Sequence, residues 1–344
     1  MSENKIKKFF FRWDVLTVIA LFILLIVIFY LTLFTPNYYL QTSPVQFDIK
    51  RGETFSEIVD RLYEENIIPS KTNFRIAGFI YGAERKVRAA RFYIPNGLSY
   101  LDLLDLFISG DCNHLRTITI RPGQTIKWLA HRLQKYIMID STEFTSKAND
   151  ETLAETLGLN QKSFEGYFFA TDYELYEKSN PVEAISLFYK SFQDFYSDSL
   201  KKRTEKLGFN INEVLTLASI IKGETDKIQE MPVISGVYHN RLRIGMRLQA
   251  DPTVQYLLPG GWRRLTNKDL EIDSPYNTYK YAGLPPGPIN SPGKDAILAA
   301  LYPEKHQYLY FVADGTGGHL FGKTHREHIN NVNKYRKWLR EQKD

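Results

Sequence analysis

Side chains able to do chemistry crowd the segment from Leu215 to Tyr256. An apolar run, Leu217-Ala218-Ser219-Ile220-Ile221, ends on Gly223-Glu224-Thr225, and Asn240, Arg241, Gln249, Asp251 and Thr253 follow. Next come Ser274-Pro275-Tyr276-Asn277-Thr278-Tyr279 and Gly283-Leu284-Pro285-Pro286-Gly287-Pro288-Ile289. Pro and Gly fix backbone shape here without supplying chemistry, and the amides, hydroxyls and carboxylates suit a groove for a long polar ligand. They suit an ordinary surface loop equally, and composition leaves the two readings level. A carboxyl at the end of an apolar helix turn is a candidate general acid, because burial beside apolar residues disfavours its charged form and raises its pKa. Glu224 sits in that position, yet it is one of 39 acidic residues, and a solvated helix-end Glu is the plainer reading of it alone. Asn240, Gln249, Asp251, Tyr276, Asn277 and Thr278 can bind a ligand's polar groups or can hold the loops. Arg241 reads as a structural ion-pair partner for a neighbour such as Asp251. His325-x-x-His328 has helical spacing for a metal, but no further ligand cluster accompanies it, so packing or groove lining is favoured and neither metal nor cofactor is expected.

These residues need elements to hold them. Pro181 to Phe195 reads as an amphipathic helix with Pro in its first turn. Asn212 to Glu224 reads as another, capped by Asn210 or Asn212, and Pro232 to Leu242 as a third. Arg243 to Gly293 is long, polar and rich in Pro and Gly, and loops of that length are often functional. Tyr308 to Val312 and His319 to Phe321 predict a hairpin around Asp314-Gly315-Thr316-Gly317-Gly318, and a basic helix over Arg326 to Lys343 closes the chain.

The earlier part of the chain repeats itself. Phe47 to Leu62 aligns with Ile118 to Leu133, with Gly52-Glu53-Thr54 opposite Gly123-Gln124-Thr125. A weaker third copy runs from Phe92 to Phe107, with Gly97 and Ser99 in the matching places. Each copy alternates apolar and polar residues, then places Gly-x-Thr or Gly-x-Ser, then apolar residues at helical spacing. The pattern predicts strand, Gly turn, N-cap and helix, with Glu57 completing a capping box on Thr54. It is similar to the LysM module, which binds amino-sugar polymers. Any strand–turn–helix unit also needs a Gly and a cap, so the pattern does not separate the two. Residues 139–163 read as a polar connector with a short helix.

The N-terminus bears on compartment. Val15 to Phe34 carries no charge, Pro or Gly, and at 1.5 Å per residue such a helix crosses a hydrocarbon layer of roughly 30 Å. No small-x-small cleavage site follows, so an anchor is expected rather than a removed signal. Lys5, Lys7, Lys8 and Arg12 precede the span, while residues 36–49 hold no Lys or Arg. The positive-inside rule then leaves 1–14 as a cytoplasmic tail, 15–35 as the transmembrane helix, and everything after Pro36 outside the cytoplasm. With 44 basic and 39 acidic residues, a net charge of +5 is too small and too spread to argue for nucleic acid. The one cysteine, Cys112, excludes an internal disulfide and multi-thiolate zinc.

A series of motifs in fixed order carries a resemblance. These are Leu217-Ala218-Ser219-Ile220-Ile221-x-x-Glu224, Asn240-Arg241-Leu242-x-Ile244-Gly245-Met246-x-Leu248-Gln249-x-Asp251-Pro252-Thr253-Val254, Tyr276-Asn277-Thr278-Tyr279, Gly283 to Ile289, Pro292-Gly293 and Tyr308 to Gly315. With the anchor and the repeat, the chain resembles the endolytic murein transglycosylases, the YceG-like family. The resemblance implies an α+β fold with a transmembrane helix, a linker over 36–44, a LysM-like strand–turn–helix region over 45–138, the connector, and a catalytic domain over 164–344. It implies a lytic transglycosylase, a lyase of cell-wall biogenesis held in the cell inner membrane with its catalytic domain periplasmic. Its partners would be peptidoglycan glycan strands, the membrane and cell-wall synthases, with no cofactor. Glu224 would be the catalytic acid, and Asn240, Gln249, Asp251, Tyr276, Asn277 and Thr278 would meet the glycan.

The chain departs from that pattern in two places. Lys222-Gly223-Glu224 stands where the family usually has Glu-Lys-Glu, and Ala170 replaces a Pro in Phe168-Phe169-Ala170-Thr171-Asp172. Residues two apart on a helix point different ways, so Lys222 need not enter the site. Asp172 is expected to be structural. The Lys222 substitution keeps open a peptidoglycan reader with a dead site, and a third reading is an assembly protein that holds synthases near the membrane.

Overall fold

The computed structural model describes residues 3–259 and 263–342, with the side chains of residues 3–14 left aside. The expected tail cations Lys5, Lys7, Lys8 and Arg12 therefore lie outside the described side chains, and Gly260 to Trp262 lie outside the described residues. The fold is mixed α+β, and the chain divides into two compact units, Met1–Arg116 and Thr117–Asp344.

The first unit begins with α1, Glu3–Phe34. Within it Val15–Phe34 has a mean hydropathy of 3.0 and is exposed from Val15 to Leu31, so it is long and apolar enough to cross a membrane. There follow β1 (Val45–Asp48), α2 (Phe55–Glu64), α3 (Lys71–Tyr81), β2 (Ala90–Ile94) and α4 (Tyr100–Ser109). β1 and β2 are antiparallel, with Phe47 opposite Phe92, and both rings pack on Phe107 from α4. β3, Asn113–Thr119, starts in this unit beside β2, with His114 opposite Ala90.

The rest of β3 opens the second unit, beside β4 (Asp172–Tyr176). Between them lie α5 (Ile126–Ile137), α6 (Ser141–Ala148) and α7 (Glu151–Thr156). All three copies of the repeat fold as strand, turn and helix. Gly52, Gly97 and Gly123 have φ of 82°, 87° and 90°, a left-handed turn that a side chain would strain. Thr54, Ser99 and Thr125 then accept the N–H of Glu57, Asp102 and Trp128, capping α2, α4 and α5. The unit boundary separates the second copy from the first, whereas the sequence suggested one region over 45–138. The stretch read as a connector holds two helices, and Phe144, Ala148 and Ala154 are buried in the second unit's core.

That core is helical. It continues through α8 (Pro181–Phe195), α9 (Asp198–Lys206), α10 (Ile211–Glu224), α11 (Met231–Arg243), α12 (Asp251–Gln255) and α13 (Gly293–Leu301). β5 (Tyr310–Ala313) and β6 (His319–Gly322) form the expected hairpin, with Phe311 opposite Phe321, and α14 (His325–Glu341) follows. α10 is capped by Asn210 in a box with Glu213. The sequence reading made this helix amphipathic; instead every residue from Val214 to Ile221 is buried. Thr216 and Ser219 are tolerated because their hydroxyls donate to the carbonyls of Asn212 (2.6 Å) and Thr216 (2.8 Å). An enclosed α10 makes a rigid mount for the residue at its end.

Candidate active site

Glu224 is the last residue of α10 and is half-buried. One loop and one short helix are fixed against α10 just before it. Ser219 Oγ accepts the N–H of Ile289 at 3.0 Å, and the Ser219 carbonyl accepts Asn290 Nδ2 at 2.9 Å. These bonds hold the end of the Gly283–Ile289 segment on α10. On another side, a Cβ at Gly223 would lie 2.5 Å from Pro252 Cβ, so glycine is what lets α12 approach beside Glu224.

α11 supplies the closest partner. Tyr238 is fully buried, and its hydroxyl donates to Glu224 Oε1 at 2.6 Å. Its ring meets Phe311 of β5 edge-on, with centroids 5.8 Å apart. Burial pushes the Glu224 pKa up to about 7; the Tyr238 hydrogen bond opposes this, the Asp251 carboxylate adds to it, and the Arg241 charge pulls back. Burial, with Glu224 beside it, holds the Tyr238 phenol well above its ordinary value, so it stays a donor. A carboxyl poised near neutrality, with one oxygen taken by a donor, can deliver and recover a proton through the other.

Asp251 does not pair with Arg241, as the sequence suggested. Arg241 donates from Nε to the Leu309 carbonyl (2.6 Å) and from Nη1 to the Leu248 carbonyl (2.5 Å), and its guanidinium lies over the Tyr310 ring. Asp251 is exposed, and its Oδ1 accepts the Tyr279 hydroxyl at 2.5 Å. Gln249 is exposed with φ 47°, and its N–H donates to the Thr278 carbonyl at 3.1 Å. Tyr276 is half-buried, its ring 5.2 Å from that of Tyr256.

Asn240, Asn277 and Thr278 are buried and bonded within the protein. Asn240 Nδ2 donates to the carbonyls of His306 (2.9 Å) and Tyr308 (3.0 Å), and its Oδ1 accepts from Arg243. Asn277 Nδ2 donates to the carbonyls of Leu270 and Ile272, while its Oδ1 accepts the N–H of Tyr279. Thr278 Oγ1 accepts the N–H of Ala250 and bonds Thr253 Oγ1, both at 2.9 Å. These three tie the loops to one another, whereas Gln249, Asp251 and Tyr276 keep open surface.

Lys222 pairs with Asp226, and its stem lies 3.5 Å from where a Cβ would stand on Gly123. Asp172 accepts the Thr119 hydroxyl at 2.5 Å, a strand-to-strand tie. His325 and His328 pack on the Tyr310 ring, at 6.0 and 5.3 Å. Two functional candidates escaped the sequence reading. Tyr238 is one; its signal was a phenol on the buried side of α11. Glu165 is the other: it is buried, both of its oxygens accept the N–H of Ile126 (3.2 and 3.1 Å), and burial raises its pKa to about 8. Its charge also bears on Tyr256 and Tyr276.

The YceG-like family matches residues 47–334, which takes in both units. The chain belongs to that family. An endolytic murein transglycosylase of Bacillus subtilis (strain 168) is 30% identical over 310 residues, covering 85% of each chain. One from Streptococcus pneumoniae serotype 2 (strain D39) is 29% identical over 281 residues, 72% of this chain and 50% of that one. The crystal structure of a YceG-like protein from Listeria monocytogenes superposes with a TM-score of 0.59 at 27% identity, covering 84% of this chain and 99% of that chain.

Proposed function

We propose that this chain is a membrane-anchored lytic transglycosylase that cuts peptidoglycan strands between N-acetylmuramic acid and N-acetylglucosamine. The observation that carries the reading is Glu224: a half-buried carboxyl at the end of an enclosed helix, with a pKa near 7 and one oxygen held by Tyr238. The names of its relatives support the substrate class.

In this reading protonated Glu224 gives its proton to the glycosidic oxygen as the bond from the muramyl anomeric carbon breaks. The resulting carboxylate takes the proton of the muramyl 6-hydroxyl, and that oxygen bonds to the anomeric carbon. The products are a free hydroxyl end and a 1,6-anhydro end, with no water consumed and Glu224 reprotonated. One carboxyl suffices, unlike the pair that hydrolysis needs. Gln249, Asp251 and Tyr276 would touch the glycan, while Asn240, Asn277 and Thr278 shape the loops that carry them. The strand–helix–helix–strand order of β1, α2, α3 and β2 supports a LysM-like, glycan-holding role for the first unit. The long apolar span and the charge asymmetry around it support a single pass with the active site outside the cytoplasm.

Mass spectrometry of glycan strands digested by the full chain in detergent tests the proposal. Anhydro-muramyl ends are expected, and Glu224→Gln should lower cleavage by at least roughly 10²-fold, the usual worth of general acid–base catalysis. Lys222→Ala should cost far less, since Lys222 is engaged with Asp226. Hydrated reducing ends, or normal cleavage by Glu224→Gln, would refute it.

A further inference from the structure

We infer that α3 lies in the outer interface of the bilayer, with Ile76, Phe79 and Ile80 in contact with lipid, so that the first unit is seated on the membrane as well as tethered to it. The inference rests on reading Val15–Phe34 as the anchor.

The segment between anchor and β1 is not slack. Asn37 donates its N–H to the Leu98 carbonyl (2.9 Å), and Gly97 returns a bond to the Asn37 carbonyl (3.0 Å). Tyr39 and Asn96 exchange side-chain and backbone bonds, and the Tyr39 hydroxyl donates to the Ile94 carbonyl at 2.6 Å. Leu33, near the end of the span, is itself in the first unit's core. The expected linker over 36–44 is therefore part of the folded unit, and the membrane surface must pass close to that unit.

α3 is the element it meets. Asn73 and Ile76 line one small cavity with Leu25, Phe29 and Thr32 of α1. Leu25 lies about 13 Å before the end of the span at 1.5 Å per residue, which puts this contact below the headgroups. The inner side of α3 is buried through Phe74, Ala77 and Gly78. Its outer side carries Ile76, Phe79 and Ile80, which are 45%, 75% and 55% exposed. Their i, i+3, i+4 spacing makes one face. The helix's two cations, Lys71 and Arg75, turn to Asp60 of α2 at 2.9 and 3.1 Å. Beyond Arg75 the exposed side of α3 is apolar up to Tyr81, and a face of that kind belongs in a core or in lipid. Glu84, Arg85 and Lys86, just beyond Gly82, are exposed. They set the depth: α3 lies along the interface, apolar side down, with these charges among the headgroups.

The test uses the full chain in lipid nanodiscs with Cys112→Ser and single cysteines introduced at Leu21, Ile80 and the exposed Glu205, each carrying a nitroxide. Collisions with oxygen report lipid, and collisions with a water-soluble nickel chelate report solvent. The Ile80→Cys label should favour oxygen over nickel as Leu21→Cys does, and opposite to Glu205→Cys. An Ile80→Cys label reached by nickel while Leu21→Cys is lipid-like overturns the inference and leaves the anchor standing. A label shielded from both reagents, with dipolar broadening between copies, also overturns it, by showing that a second copy covers the face. If Leu21→Cys is itself open to nickel, the anchor reading fails and this inference with it.

Discussion

Glu224 reaches its pKa near 7 by a balance: burial lifts it, and the Tyr238 hydroxyl, which favours the carboxylate, holds it back. Tyr238→Phe removes only the second of these. A hydrogen bond to a charged group is worth about 1.5–3 kcal/mol, and 1.36 kcal/mol is one pH unit. The pH dependence of kcat/KM should therefore extend about one to two units further toward alkali, because free Glu224 stays protonated longer. A profile whose alkaline limb does not move would show that the phenol only fills space. A motif singles out Glu224 in the sequence. Tyr238 is not singled out, since its meeting with Glu224 depends on how α11 packs on α10. Asn240, Asn277 and Thr278 show the converse. A polar side chain in a Pro- and Gly-rich stretch looks the same whether it faces a ligand or a backbone carbonyl, and these three face the protein.

At the level of elements, what was written locally was read well. A Gly that must turn left-handed, followed two residues later by a capping Thr or Ser, specifies strand, turn and helix within about fifteen residues, and all three copies obey it. What depends on distant packing was missed. α12 hides in the long polar stretch because it is only Asp251–Gln255, and it lies beside α10 through a single missing Cβ. Gly223→Ala tests that contact. Alanine raises helix propensity by about 1 kcal/mol, but overpacking typically costs 1–3 kcal/mol, and the new Cβ would lie 2.5 Å from Pro252. The expected result is a small net loss of stability and a larger loss of cleavage, because α12 must shift and carry Asp251 with it. A raised melting temperature with full activity would show that Pro252 moves aside freely.

For the whole molecule, two properties follow from where charges sit. In the proposed topology, with the cations ahead of the span on the cytoplasmic side, the C-terminus lies outside the cytoplasm, so a reporter fused after Asp344 and active only after export should work, and one active only in the cytoplasm should not. The second property concerns pH. Glu165 and Glu224 have folded pKa values of about 8 and about 7, both raised by burial from an ordinary 4.5. Between about pH 4.5 and 7 the folded chain therefore holds up to two protons that the unfolded chain has released. Stability changes with pH in proportion to protons bound unfolded minus folded, which is negative here, so it falls as pH rises. Each group contributes a slope of up to about 1.4 kcal/mol per unit, and the fall ends near pH 8, when both are ionised in either state. Glu165→Gln keeps an acceptor for the Ile126 N–H but cannot ionise. Chemical denaturation of both forms at pH 5 and pH 8 should show the natural chain losing more stability between the two than the variant does. Equal losses would mean that Glu165 is hydrated in the folded protein, and that the N-terminus of α5, not burial, sets its titration.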